Sequence, residues 1–265
     1  MIHPFSIVSK KAKIGVNVTI GPFCTIGDEV EIGDNVTLKS HISIDGVTKI
    51  GEGCTVFPFV SISMPQDLKY KGERSEVVIG KNNVIREYVT IQHGTEAGGM
   101  VTQIGDNCLL MVGVHIAHDC KIGNNVIFAN LATLAGHVEV GDFVVFGGLS
   151  AAHQFVRIGD HAMIGGCSAV ERDVAPFATV TSERAGVSGI NFVGLKRRGL
   201  DRQEITSLQK AFQIIFFEDS PLSESVEKVK RQFKHNPHID QLIKFITSDS
   251  KRSLTMRAKS GSEAV

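Results

Sequence analysis

The sequence predicts an all-β solenoid, a parallel β-helix of hexapeptide repeats, followed by a small α-helical domain at the C-terminal end. Three observations carry this. Aliphatic residues recur every six positions, from Ile2 through Val8, Ile14 and Ile20 to Ile62, again over Ile79, Ile85 and Ile91, and then without a break from Ile104 to Val170. Glycine follows many of them, as at Gly15, Gly21, Gly27 and Gly33. Beyond about residue 190 the apolar period changes from six to near 3.6.

Each hexad reads as one short strand and a corner, with the aliphatic residue turned inward and a small or polar residue at the bend. Three hexads close a triangular coil of 18 residues, and coils stack at the inter-strand spacing of ~4.8 Å. No coil is stable alone, because each buries its core only against its neighbours. Hairpins of a sandwich would need turn clusters every 8–12 residues, and the uninterrupted beat supplies none. Two segments interrupt it, residues 63–76 and 94–102, and are read as inserted loops, the usual place for function on a rigid scaffold. The solenoid is assigned to residues 1–190.

The helical domain is assigned to residues 191–250. Asp201–Glu204 is a capping-box start. Ile205, Leu208, Phe212, Ile215 and Phe216 form an apolar stripe. Ser220-Pro221 starts a second helix running towards His235, and Asn236-Pro237 a third towards Ser248. Such a cap covers the open end of a β-helix, where strand groups would otherwise lie unpaired. Residues 251–265 are polar and small and are expected to be disordered.

Composition narrows the function classes. Among 265 residues, 28 Lys+Arg balance 28 Asp+Glu, so the formal net charge is zero, which argues against a phosphate-backbone binder. Met1–Ser6 carries no basic and apolar leader, and no apolar run approaches the ~18–20 residues of a membrane span. The five cysteines are scattered without a C-x-x-C pair, so neither a disulfide framework nor a zinc ribbon is expected. Cys24, Cys54, Cys108 and Cys167 read as small buried hydrophobes. A cytoplasmic location follows, without integral membrane association.

Residues 18 apart stack, so the sequence is also a map. His118, Gly136 and Gln154 fall in one column, Asp119, His137 and Phe155 in the next, and Ala117, Ala135 and His153 in a third. With His115 on the same coil, four of the ten histidines converge on one edge. A lone solenoid histidine such as His3, His41 or His161 reads as a polar corner. The cluster admits two chemical readings. One is a metal site, as in hexapeptide carbonic anhydrases, although no pair shows an obvious ligand spacing. The other makes His118 a general base, since a neutral imidazole suits removal of a proton from a sugar hydroxyl. Asp119 could then hold an imidazole tautomer, and Gly136, lacking a Cβ, could offer its N–H to an oxyanion. Arg197 and Arg198 suit a diphosphate.

At these residues the chain resembles the UDP-N-acetylglucosamine O-acyltransferases, which start lipid A synthesis. The matching stretches are Ile20-Gly21-Pro22-Phe23, Leu38-Lys39-Ser40-His41, Pro65 to Tyr70, His115-Ile116-Ala117-His118-Asp119-Cys120, Leu134-Ala135-Gly136-His137, His153-Gln154-Phe155 and Gly194 to Gly199. The resemblance implies a left-handed helix, a homotrimer with sites between subunits, and transfer of a 3-hydroxyacyl group from acyl carrier protein to the sugar 3-hydroxyl. It implies no cofactor beyond the phosphopantetheine of that carrier, and no bound metal. By matched motif, His118 is the base and Gly136 the oxyanion donor. His115, His137, His153 and Gln154 shape the acceptor pocket. Asp67 and Lys69 contact the sugar and acyl donor, Asn191, Arg197 and Arg198 bind the nucleotide, and Gly166 limits acyl length. Val193 stands where the family pattern has Glu and Gln92 where it has His, and the loop before Asp67 is one residue short. The alternatives are a 3-amino sugar acceptor, an acetyl-CoA-dependent hexapeptide acyltransferase, a metal-dependent hydratase and a non-catalytic scaffold.

Overall fold

The computed structural model describes residues 1–65 and 70–257. Among them the strands form three sheets of nine, eight and ten strands, in which, up to the last coil, every third strand of the chain is hydrogen-bonded to the next. The first face begins at Ile7–Val8, the second at Lys13–Ile14 and the third at Thr19–Ile20. Stacked partners lie 18 residues apart, as in Ile7 with Thr25 and Leu109 with Ile127. The fold is a left-handed parallel β-helix. Most strands have two residues, of which the second points inward and is buried, as in Thr133–Leu134 and Val145–Phe146. The rows of Ile, Val and Leu that result make one continuous core, with Phe128 and Phe146 stacked at 4.6 Å inside it.

Corners turn tightly because one residue in each adopts left-handed backbone torsions. Asparagine or glycine fills some of these positions, but Phe23, Asp119, His137, Phe143, Phe155 and His161 also do so, with φ near +60°. Such strain persists because the coils above and below fix the backbone on both sides. At the corner between the second and third faces a ladder of carboxylates and amides relieves it. Asp106, Asn124, Asp142 and Asp160 each accept a backbone N–H from the residue 18 to 25 positions earlier (2.6–2.8 Å).

Both insertions leave from one corner, between the first and second faces. The first separates Ser61–Ile62 from Glu76–Ile79, and the second separates Thr90–Ile91 from Val101–Ile104. Register is restored across each, since Ser61 pairs with Thr90 and Thr90 with His115.

The solenoid closes with Ala178–Thr181, parallel to Met163–Ile164, and Gly186–Ile190, which turns back antiparallel to it. Asn191 then caps α1 (Phe192–Arg197). The capping box of Asp201 and Glu204 is formed at the start of α2 (Arg202–Phe212), which continues into a π-helical turn at Gln213–Phe217. The second and third helices expected from the sequence are α3 (Leu222–Gln232) and α4 (Pro237–Thr247). Helix α1 and the π turn were not foreseen.

Two expectations need correction. The disordered tail does not begin at residue 251. Residues 251–257 are extended and docked, with Leu254 bridging Asp173, the Thr255 N–H donating to the Asp173 carbonyl (2.8 Å), and Arg257 bonded to Asp219. Backbone pairing, with Leu254 packed against the core and Thr255 buried, holds a segment whose polar composition does not report it. Cys167 is exposed rather than buried, because it occupies the left-handed tip of a corner, φ +57°, between the third and first faces.

Candidate active site

The corner that carries both insertions also carries His118 and Asp119, between the strands His115–Ile116 and Lys121–Ile122. His118 Nδ1 lies 2.8 Å from Asp119 Oδ2. Left-handed torsions at Asp119 turn its side chain back beneath the preceding imidazole, which lets two consecutive residues face each other. The Asp119 side chain is fully buried, whereas His118 keeps about a quarter of its surface. His118 Nε2 makes no hydrogen bond among the described residues, so the nitrogen opposite the carboxylate remains open.

One coil further along, Gly136 lies against the His118 ring. A Cβ placed there would stand 2.6 Å from Nε2, closer than real contacts allow, so only glycine lets the ring lie where it does. The Gly136 N–H donates to no acceptor among the described residues, while the neighbouring His137 N–H is bonded to the His118 carbonyl (3.0 Å).

The other histidines surround this pair. His137 meets His118 edge-on at 5.0 Å and stacks on Phe155 at 4.4 Å. Burial pushes its pKa down, Asp119 opposes the shift, and His118 and Lys251 add to it. Thr90 Oγ1 is 2.7 Å from His115 Nδ1; burial and the nearby His118 lower the pKa of His115. His153 and Gln154 are exposed one coil beyond, where Arg252 donates to His153 Nδ1 (2.6 Å) and to the Gln154 carbonyl (2.9 Å). Lys251 sits 4.3 Å above the Phe155 ring. Arg252 and Lys251 escaped the sequence reading because they fall in the segment expected to be disordered. Thr95 also escaped it, although its N–H and hydroxyl both donate to the Asp119 carboxylate.

His118, Asp119 and His137 form the one grouping of metal-ligating side chains among the described residues. The Asp119 carboxylate and His118 Nδ1 are already engaged with one another. Both Asp119 oxygens accept hydrogen bonds, and His118 Nδ1 is spent on one of them. The arrangement suits proton transfer better than coordination.

Other residues singled out from the sequence lie elsewhere. Asp67 and Lys69 fall outside the described residues. Asn191, Arg197 and Arg198 lie at the corner between the second and third faces. Asn191 is buried and used by the fold, accepting from the Gly194 N–H (3.0 Å) and donating to the His161 carbonyl (2.9 Å). Arg198 donates to the Phe143 carbonyl (2.9 Å) and lies over that ring, while Arg197 is exposed. Neither arginine has a carboxylate partner among the described residues. His161, expected to be a plain polar corner, is half-buried between Phe143 and Phe177, with its Nδ1 closed off from solvent. Gly166 is exposed at the third corner, where a Cβ would approach the Gly148 carbonyl at 3.3 Å. One prism therefore holds His118, the two arginines and Gly166 on three different corners.

A hexapeptide solenoid with an imidazole–carboxylate pair against a corner glycine defines a hexapeptide-repeat transferase. Comparison with known proteins agrees: bacterial transferase hexapeptide repeats match residues 11–41 and 102–136. The second domain of UDP-N-acetylglucosamine O-acyltransferase matches residues 173–255. The acyl-[acyl-carrier-protein]–UDP-N-acetylglucosamine O-acyltransferase of Thermodesulfovibrio yellowstonii is 53% identical over 251 residues, 94% of this chain and 97% of that protein. The Rickettsia felis enzyme of the same name is 53% identical over 95% of this chain and 96% of its own. Among solved structures, the UDP-N-acetylglucosamine acyltransferase of Francisella novicida superposes with a TM-score of 0.94 at 38% identity, covering 98% of this chain and 95% of that one. The chain belongs to the UDP-N-acetylglucosamine O-acyltransferase family.

Proposed function

We propose that this protein transfers a 3-hydroxyacyl group from acyl carrier protein to the 3-hydroxyl of UDP-N-acetylglucosamine, the first step of lipid A synthesis, with His118 as general base. The observation that carries the mechanism is the His118–Asp119 pair, with Nε2 beside Gly136, whose N–H donates to no acceptor among the described residues. His118 Nε2 takes the proton of the sugar hydroxyl as its oxygen attacks the thioester carbonyl carbon. Charge developing on the carbonyl oxygen is met by the Gly136 N–H. Collapse breaks the carbon–sulfur bond, and the departing thiolate takes the proton back from His118. Asp119 keeps the ring oriented and stabilises the imidazolium that forms between these steps. The reaction needs no further cofactor.

The acceptor and donor pockets join corners that are apart in one prism, which supports a homotrimer with sites between subunits. A ridge of exposed aromatic rings runs along the third corner, Phe5 on Phe23, His41, Phe59 and Tyr88, each 4.9–5.8 Å from the next. Association would remove such a surface from water. Across the cleft, Arg197 and Arg198 of one subunit would hold the diphosphate of a sugar placed at His118 of another. Gly166 would leave room for the end of the acyl chain. Five free thiols and no helix long and apolar enough to cross a membrane among the described residues support a cytoplasmic location.

The test is an assay of the pure protein with UDP-N-acetylglucosamine, or its 3-amino analogue, and 3-hydroxyacyl carrier proteins of several lengths. Acetyl-CoA replacing the carrier protein as donor would overturn the reading. Gly166→Met should abolish use of long chains and retain ~C10 ones, because its side chain would fill the space the glycine leaves; equal loss at all lengths would mean the glycine serves only the corner. Light scattering should give a mass of three chains of 28.7 kDa.

A further inference from the structure

We infer that Thr95 is a positioning residue for the catalytic pair, through which the second inserted loop fixes Asp119 and thereby the tautomer of His118. The carboxylate of Asp119 is buried and would be costly there as a charge without donors. The inserted loop supplies two of them from one residue. The Thr95 N–H donates to Oδ1 (2.9 Å) and the Thr95 hydroxyl to Oδ2 (2.6 Å), so both oxygens are gripped and the carboxylate plane is set. Oδ2 is also the oxygen that meets His118 Nδ1 at 2.8 Å. The ring's proton is thereby pinned on Nδ1, and the lone pair of Nε2 faces the place where a hydroxyl would be deprotonated.

The loop is built around this contact. The Thr95 carbonyl accepts from Gly98 and Met100 (3.0 Å each), folding the segment into a 3-10 turn at Glu96–Gly98. Gly98 rests directly on the carboxylate, where a Cβ would overlap Asp119 Cγ. From the opposite side the Asp119 N–H donates to Thr102 Oγ1 (2.8 Å), so residues on both sides of the loop hold Asp119. Thr95 is 5% exposed and does not reach the open side of His118, so it acts through Asp119 and not on substrate. Without the hydroxyl, the loop would hold the carboxylate at one oxygen only, leaving Oδ2 to the His118 ring alone. His137 Nδ1, 3.9 Å from Oδ2, would then compete for it. His118 would lose its fixed partner and populate the Nε2–H tautomer, which cannot accept the proton.

The test compares the full-length protein with Thr95→Val, Thr95→Ala and Thr95→Ser. The primary readout is the nitrogen NMR signature of the His118 ring, which needs no substrate and so stands whether or not the acyl-transfer reading holds. The wild type and Thr95→Ser should show the Nδ1–H tautomer, and the variants without a hydroxyl a mixture containing Nε2–H. The activity arm rests on the proposed function. In it, Val and Ala should lower kcat about tenfold to a hundredfold, the worth of one hydrogen bond to a charged group, with KM for the nucleotide sugar unchanged. Thr95→Ser should restore most of the rate. An unchanged His118 tautomer in Thr95→Ala, or a Ser variant as impaired as the Ala variant, would overturn the inference. An inactive wild type with the tautomer shift present would instead count against the proposed function alone.

Discussion

His137 and His161 occupy the same kind of position on two corners of one solenoid, both at φ +61°, and their chemistry diverges. At the first corner the column reads Asp119, His137, Phe155. A carboxylate lies on one side, and the neighbouring His118 stays partly open. At the second corner the column reads Phe143, His161, Phe177, and the imidazole is sandwiched between two phenyl rings at 5.0 and 5.5 Å. There burial, with Arg198 and His238 nearby, pushes the pKa of His161 down to about 4. The hexad supplies a left-handed corner that can present any side chain. The residues stacked before and after it decide whether a histidine there can move a proton or only fill space.

The largest effect that tests this contrast is at His118, the proposed base. His118→Ala should lower turnover by ~10²–10⁴-fold while leaving the fold and assembly intact, since only a positioned base is lost. His161→Ala should cost stability and leave most of the turnover of the folded protein. A His118→Ala enzyme retaining more than about a tenth of the wild-type rate would move the base to another residue.

Next comes Arg198, which borders the second corner and has no carboxylate partner among the described residues. Arg198→Ala should raise KM for the nucleotide sugar about tenfold or more, with a smaller effect on kcat, because the proposed diphosphate contact would be made in the ground and transition states alike. Arg197→Ala should act in the same direction. A fall in kcat at constant KM would assign Arg198 to the chemistry and blur the division between the corners.

Much of this organisation was legible in the sequence because a solenoid converts spacing directly into contact. The period of six located the inward Ile, Val and Leu, and the 18-residue column placed Gly136 over His118 without reference to any fold. What escaped follows no period. The Thr95 cap on Asp119 depends on the fold of an inserted loop, and the clasp of Arg252 on His153 joins residues 99 apart. The burial of His161 is completed by Phe177 and by His238 of α4, beyond the regular coils. Asn191, Arg197 and Arg198, which the matched motifs assign to the nucleotide, fell on another corner, and only contact between copies would unite them with His118.

The smallest effect, and the sharpest on the second corner, concerns acid stability. His161 has a folded-state pKa of about 4 against an ordinary 6.5, with burial as the main cause. Between those values the unfolded chain binds a proton that the folded chain refuses. The neutral ring's contribution is therefore complete above about pH 6.5 and is lost as the pH falls towards 4, by an amount on the order of a few kcal/mol across the whole window. Its buried Nδ1 has no hydrogen-bond partner among the described residues, so a carbon ring loses no bond at that atom. Phenylalanine is tolerated at this backbone conformation, since Phe143 and Phe177 adopt it directly before and after His161 in the column. His161→Phe should thus change the melting temperature little at pH 7.5 and become increasingly more stable than the wild type as the pH drops to 5. Melting curves of the two proteins across that range provide the measurement. A constant offset would mean that His161 already takes up its proton in the folded state, and that the phenyl sandwich does not set its chemistry apart from that of the first corner.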